Sequence, residues 1–143
     1  MSVTRRQLAD EALSWLGTPF VHNGRIKGVA ADCAGLVEMV PKAYGLYQGA
    51  AVPTYSRRPD PEQMRVVLRE HMDEIGFKLV ALADVLWFRI VHDPQHLGIV
   101  VELDPLTIVH ALGGDNRERN EVVLTRVHSL WRQRIVGCFR YRG

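Results

Sequence analysis

Only two cysteines, Cys33 and Cys138, occur in the 143 residues. That scarcity excludes a disulfide framework, and no Cys-x-x-Cys pair is present to grip a structural metal. No apolar run is long enough to cross a bilayer, which excludes a membrane-spanning helix and with it membrane insertion. Lysine is scarce as well: three Lys stand against fifteen Arg, and with 16 acidic residues the net charge is only +2. So small a net charge gives no broad field for nucleic acid, and no nucleic-acid partner is expected. The most basic stretch, Arg126, Arg132, Arg134, Arg140 and Arg142, reads as a solvated strand face. The start, Met1-Ser2-Val3-Thr4-Arg5-Arg6, lacks the apolar core of a secretory signal. The chain is therefore expected to be made in the cytoplasm, and any action outside the cell needs another route. No internal repeat, low-complexity tract or linker interrupts it, so residues 1–143 are expected to form one domain.

What is present is ordinary for a globular protein: 47% apolar and 24% charged residues, enough to bury a core without staples. Thr4 and Gln7 make a capping box, and Leu8, Ala12, Leu13 and Leu16 follow at helical spacing before Gly17. Residues 17–32 read as an irregular loop. A second helix is expected from Asp32 to Tyr44, with Gly45 as its stop and Pro41 shortening or kinking the last turn. Residues 46–58 read as loop, placed where a lid could cover a cleft. A third helix starts at Asp60-Pro61 and should reach Met72. After Gly76 the pattern becomes strands at 77–81, 84–89, 96–102, 106–112, 121–127 and 134–141. Helices first and antiparallel strands after them predict an α+β domain, with N-terminal helices packed on a C-terminal sheet of five to six strands.

Cys33 opens the second helix. A thiol there meets the positive end of the helix dipole, which favours thiolate. Alone, it reads equally well as an inert buried thiol. Cys138 lies mid-strand between apolar residues and reads as a small hydrophobe. Of the six histidines, His71, His92 and His128 sit where surface residues sit, and His22 lies in the loop before Cys33. His96 and His110 are different. A hairpin centred on Leu103 puts them directly opposite one another on one face, with Cβ atoms about 5 Å apart. His110 could then orient His96 and fix its tautomer, as the acid does in other triads. By itself His110 would read as a core histidine between Ile108 and Leu112. A nucleophilic Cys with a His brought near by folding is the minimal kit of a cysteine hydrolase. A zinc site built from Cys33, His96 and His110 is the weaker alternative, and no cofactor is expected.

Taken together, Gly17-Thr18-Pro19-Phe20, Lys27-Gly28, Asp32-Cys33-Ala34-Gly35-Leu36-Val37, Ala83-Asp84-Val85-Leu86-Trp87-Phe88, His96-Leu97-Gly98-Ile99-Val100 and Ile108-Val109-His110-Ala111 resemble the NlpC-type papain-like cysteine peptidases of bacterial cell walls. The resemblance runs from about residue 7 to the last strand. Its loop 21–28 is most similar to the version found in phage tail and gene-transfer modules. The resemblance implies Cys33 as nucleophile, His96 as base and acid, and His110 as its orienting partner. It implies a peptidoglycan stem peptide as substrate, phage tail proteins as partners and a virion-associated location. Asp32 would meet the substrate's amino end or, on the plainer reading, cap the helix. Phe20, His22 and Ala34 would line the substrate side. Three departures stand out: Phe20 where Tyr is common, Ala34 where Ser is common, and Ala83 where Gly is common. The first two bear on specificity and the third on structure. Two alternatives remain: a tail structural or adaptor protein with weak turnover, and a Cys-His amidase or acyltransferase on another substrate.

Overall fold

The computed structural model describes residues 2–47, 61–90, 93–113 and 120–143. Helix α1 spans Arg5–Leu13. Its capping box forms as expected: Gln7 N–H donates to Thr4 Oγ1 at 3.0 Å, and Thr4 N–H donates to Gln7 Oε1 at 2.8 Å. The helix stops before Leu16 because its last bonds tighten to three-residue spacing. Gly17 then turns with φ +86°, which brings its N–H to the carbonyl of Val122. The loop expected over 17–32 is not wholly irregular. It contains a small antiparallel hairpin of β1 (Arg25–Ile26) and β2 (Ala30–Ala31).

Helix α2 spans Cys33–Lys42, with Pro41 inside its final turn and Gly45 beyond it at φ +79°. It ends short of Tyr44. The expected loop 46–58 lies, from residue 48 on, outside the described residues. Helix α3 (Pro61–His71) ends one residue before the expected Met72, which instead opens strand β3 (Met72–Ile75). Arg142 closes α3 by donating to the carbonyls of Arg69, Glu70 and Met72 at 2.8–3.0 Å.

The strand expected at 77–81 is absent, and residues 77–79 form a 3₁₀ turn. Phe77 and Val80 press against the sheet, while the Asp84 carboxylate takes the Ala81 N–H at 2.8 Å and draws the backbone into a turn. The remaining strands fall close to expectation: β4 (Val85–Ile90), β5 (Asp93–Leu103), β6 (Leu106–Leu112), β7 (Glu121–Arg126) and β8 (Ile135–Tyr141). A four-residue helix, α4 (Ser129–Arg132), lies between the last two. The six-stranded sheet runs β3-β8-β4-β5-β6-β7, antiparallel throughout. The molecule is therefore the α+β domain that the pattern of elements predicts.

Both faces of the sheet are covered. One carries Val85, Trp87, Leu97, Ile99, Val109 and Phe139, packed against Leu8 and Ala12 of α1, Leu36 and Val40 of α2, and Met64 and Leu68 of α3. The other carries Leu86, Phe88, Val100, Ile108 and Cys138 under Phe77, Val80 and Trp131. Trp87, Phe88 and Phe139 are almost wholly buried, each contributing roughly 2–3 kcal/mol of apolar burial.

Asp84 is fully buried at the start of β4. Arg140 grips it with two bonds of 2.9 Å, and Arg5 reaches the same carboxylate at 3.3 Å. Its proximity holds the Arg140 guanidinium above its usual range. Arg140 and Arg142 are thus structural anchors, not members of the solvated strip the sequence suggests. A cavity of about 150 Å³ adjoins the clasp, lined by Val3, Arg5, Asp84, Arg140 and Gly143 among others.

Candidate active site

Cys33 is the first residue of α2 and is partly buried, against the apolar face that α2 shares with the sheet. Asp32 fixes that helix start. It is 3% exposed, and its Oδ1 accepts from the Gly35 N–H at 2.7 Å, the cap geometry that satisfies a first-turn donor. Oδ2 takes the Asn23 N–H at 2.7 Å, and Arg25 Nη1 donates to Oδ1 at 3.2 Å. His22 Nδ1 stands 3.9 Å from Oδ2. Arg25 also meets Glu38 on the next turn of α2 at 3.3 Å. The loop 22–25 is therefore strapped to the helix that presents Cys33.

Two glycines permit the strapping. A Cβ at Gly35 would lie 2.0 Å from the Gly24 carbonyl oxygen, and one at Gly24 would lie 2.6 Å from the backbone of Ala30 and Ala31. Ala34 points into the core and is 7% exposed. Phe20 joins Ala31 in an isolated parallel bridge and lays its ring on Gly113, where a Cβ would fall 2.2 Å from the ring. As placed, Phe20 and Ala34 serve packing.

His96 stands on β5 and His110 on β6, 1% and 0% exposed. His96 Nε2 and His110 Nδ1 are 2.5 Å apart, with the rings edge to face at 79°. The expected direct opposition needs correction. The two-residue turn at Asp104-Pro105 and an irregularity between Val100 and Glu102 pair Ile99 with Val109. Continued, that register sets His110 level with Gly98, two residues from His96. An offset of two keeps both rings on one face, so the contact survives as a diagonal one.

Two residues the sequence reading passed over complete the surroundings. Thr125 Oγ1 on β7 lies 2.7 Å from His110 Nε2. Trp131 of α4 stands edge to face with His110 at 5.3 Å and with Phe88 at 5.3 Å, and its centroid is 6.1 Å from His96. Neither signals itself in the sequence. Thr125 faces His110 only once the β6–β7 register is known, and Trp131 sits in a helix too short for any periodicity. Helix α2 packs on both β5 and β6, so the thiol and the imidazole pair ride on elements in direct contact. Among the described residues, no three His, Cys, Asp or Glu side chains are disposed to hold a metal ion. No described helix is long and apolar enough to cross a membrane.

No family model matches the sequence, and no curated protein matches it. Solved structures do match the fold. An NlpC/P60 family protein of Bacillus cereus ATCC 10987 superposes with a TM-score of 0.70 at 18% identity, over 99% of this chain and 41% of that one. The chain thus spans about two fifths of that relative's length. The NlpC/p60 domain of the peptidoglycan hydrolase SagA gives 0.64 at 18% identity, over 96% and 99%. RipD of Mycobacterium tuberculosis, a non-catalytic NlpC/p60 domain protein adapted to peptidoglycan binding, gives 0.61 at 14% identity, over 98% of each chain.

Proposed function

We propose that this chain, which has the NlpC/P60 fold, is a cysteine peptidase that cuts peptidoglycan stem peptides. The observation that carries the reading is the hydrogen-bonded imidazole pair of His96 and His110, carried on strands that contact α2, the capped helix that begins at Cys33. In the reaction, the Cys33 thiolate adds to the scissile carbonyl, and the oxyanion is met by backbone N–H groups at the start of α2. His96, holding the thiol proton, delivers it to the leaving amine as the C–N bond breaks and a thioester remains. Water then attacks the thioester while His96 takes its proton, releasing the acid and restoring the thiol. His110 holds the ring of His96 in place.

Asp32 and its neighbours are the part of the site suited to the amino end of the substrate. Its carboxylate is buried, and the Asn23 Oδ1 beside it is a buried acceptor with no hydrogen bond among the described residues. His22, with Nδ1 3.9 Å from the same carboxylate, stands beside it. The loop most similar to those of phage tail modules points to delivery by a phage-like tail, with tail proteins as partners.

The test is mass spectrometry of purified muropeptides after incubation with wild type and with Cys33→Ala. A new fragment from wild type alone establishes the peptidase and names its bond. A second reading, a peptidoglycan-binding or adaptor protein, draws support from RipD, whose non-catalytic domain has the same fold. Alkylation separates the two, since a peptidase requires Cys33 to react with iodoacetamide at pH 6–7. Absence of both cleavage and alkylation would overturn the peptidase reading and favour the binding or adaptor one. A reactive Cys33 without muropeptide cleavage would move the chemistry to another amide or acyl substrate.

A further inference from the structure

The imidazole pair does not end at His110. His110 is wholly buried between two polar contacts, His96 Nε2 on its Nδ1 and Thr125 Oγ1 on its Nε2. A neutral imidazole has one N–H and one lone pair, so the direction of one contact dictates the direction of the other. If Nε2–H of His110 donates to Thr125, then Nδ1 of His110 must accept, and it accepts from Nε2–H of His96. That leaves the lone pair of His96 on Nδ1. If the Thr125 hydroxyl donates instead, every bond in the row reverses and Nδ1 of His96 carries the proton.

We propose that Thr125 is a positioning residue that sets the tautomer of both histidines: its hydroxyl accepts from His110, so that Nδ1 of His96 is the basic nitrogen. The location of Thr125 suits this polarity. It lies on β7 at the margin of the sheet and is only partly buried, so its own proton can go to solvent while His110, with no such outlet, uses it as an acceptor. Trp131 covers the row. Its ring stands edge to face with that of His110, and it also packs against Phe88, which pairs with His96 across β4 and β5. With water held off, the row keeps one direction instead of exchanging protons with solvent.

Calling Nδ1 of His96 the base rests on the peptidase reading, whereas the tautomers themselves do not. The experiment therefore reads both separately, on wild type, Thr125→Val and Thr125→Ser. Long-range ¹⁵N–¹H correlation spectra give the tautomer of each ring, assigned with His96→Gln and His110→Gln. Iodoacetamide alkylation gives the reactivity of the site. The buried Cys138, its thiol pushed up to about 12 by burial, stays silent, so the rate reports Cys33. Wild type and Thr125→Ser should show both rings as the Nε2–H form. Thr125→Val, nearly the same shape without the hydroxyl, should gain Nδ1–H signal on both rings, and alkylation should slow roughly ten-fold, in the range of other outer-sphere substitutions.

The reversed pattern in wild type would overturn the proposal, as would unchanged tautomers in Thr125→Val. A fold change in Thr125→Val is visible in the same spectra, and normal behaviour of Thr125→Ser ties the effect to the hydroxyl. If the tautomers behave as stated but wild type cleaves no muropeptide, the tautomer assignment stands and the peptidase reading falls.

Discussion

Ala83 occupies the left-handed region at φ +68°, where a Cβ costs roughly 1–2 kcal/mol. The position where glycine is common in the resembling family carries a side chain here, and the structure gives that departure an energetic meaning. Ala83 precedes Asp84, and its own N–H bonds the Val100 carbonyl at 2.8 Å, so the strained turn is locked at both ends. Ala83→Gly should stabilise the protein. The gain is offset by the greater entropy of glycine in the unfolded chain, about 0.5–1 kcal/mol. A net increase of a few tenths to about 1 kcal/mol is expected, read as a higher urea midpoint with unchanged slope.

Cys138 supplies a second prediction at the same scale. Burial pushes its thiol up from 9.0 to about 12. A group whose folded pKa is raised lends stability that is complete below its unfolded pKa and is lost as pH climbs to the folded one. Stability should therefore fall between about pH 9 and 12, by up to roughly 4 kcal/mol from this thiol. Burial also raises Tyr141, and Tyr47 less so, so both phenols add to the decline above pH 10. Cys138→Ala should flatten the part of the curve that begins near pH 9, measured by urea unfolding at pH 8 and at pH 10. An unchanged slope would show that the phenols account for it all.

At the level of elements, the helix signals read truly because they are local. Thr4 and Gln7 lie three residues apart, Asp32 caps its own helix, and Gly45 ends the turn it was expected to end. The strands from 84 onward were legible for the same reason, as alternation or continuous apolar runs. Residues 77–81 were not. Phe77 and Val80 look like strand residues because their apolar side chains are half-buried against the sheet, but the backbone beside them, at Ala81 and Leu79, is held by Asp84 and by Arg140, far apart in sequence. The pairing partner of β8 is instead Met72–Ile75, whose Asp73 and Glu74 hide any strand pattern. The register of β5 on β6 was misread by two because an irregularity near Glu102 leaves no mark in residue type. The error was even, so the two histidines kept a common face. Of the proposed site, Cys33, Asp32, His96 and His110 can be picked out from the sequence. Thr125 and Trp131, which depend on register and on a four-residue helix, cannot.

The attachment of the loop 22–25 to α2 is the element contact most open to test. Gly35→Ala would drive a Cβ into the Gly24 carbonyl, and neither backbone is a flexible chain end. We expect a loss of roughly 1–3 kcal/mol, together with slower alkylation of Cys33, because Asp32 and the helix start would be displaced with the loop. Loss of stability with unchanged alkylation would show that the loop supports the fold and not the thiol.

On the scale of the whole molecule, the two-sided sheet divides the labour. One face receives the helices and the greater part of the core, while the imidazole row shares the other with Trp131, Phe88 and the second cluster. Disturbing either cluster should reach the site, through α2 on one side or through the ring contacts on the other. A core substitution should therefore slow Cys33 alkylation without touching the thiol or the imidazoles.

The clasp at Asp84 joins Arg5 and Arg140 on one carboxylate, and Val3 and Gly143 line the same small cavity. The two ends of the described chain therefore leave the body side by side. A domain with that arrangement is topologically a closed loop cut at one point, and the cut can be moved. Joining residue 143 to residue 2 with a short Gly-Ser bridge, and opening new ends at the tip of the β1–β2 hairpin between Lys27 and Gly28, should give a circular permutant with the same sheet and a cooperative melt. The same property makes the domain insertable, since it can be threaded into a loop of another protein without pushing that loop's ends apart.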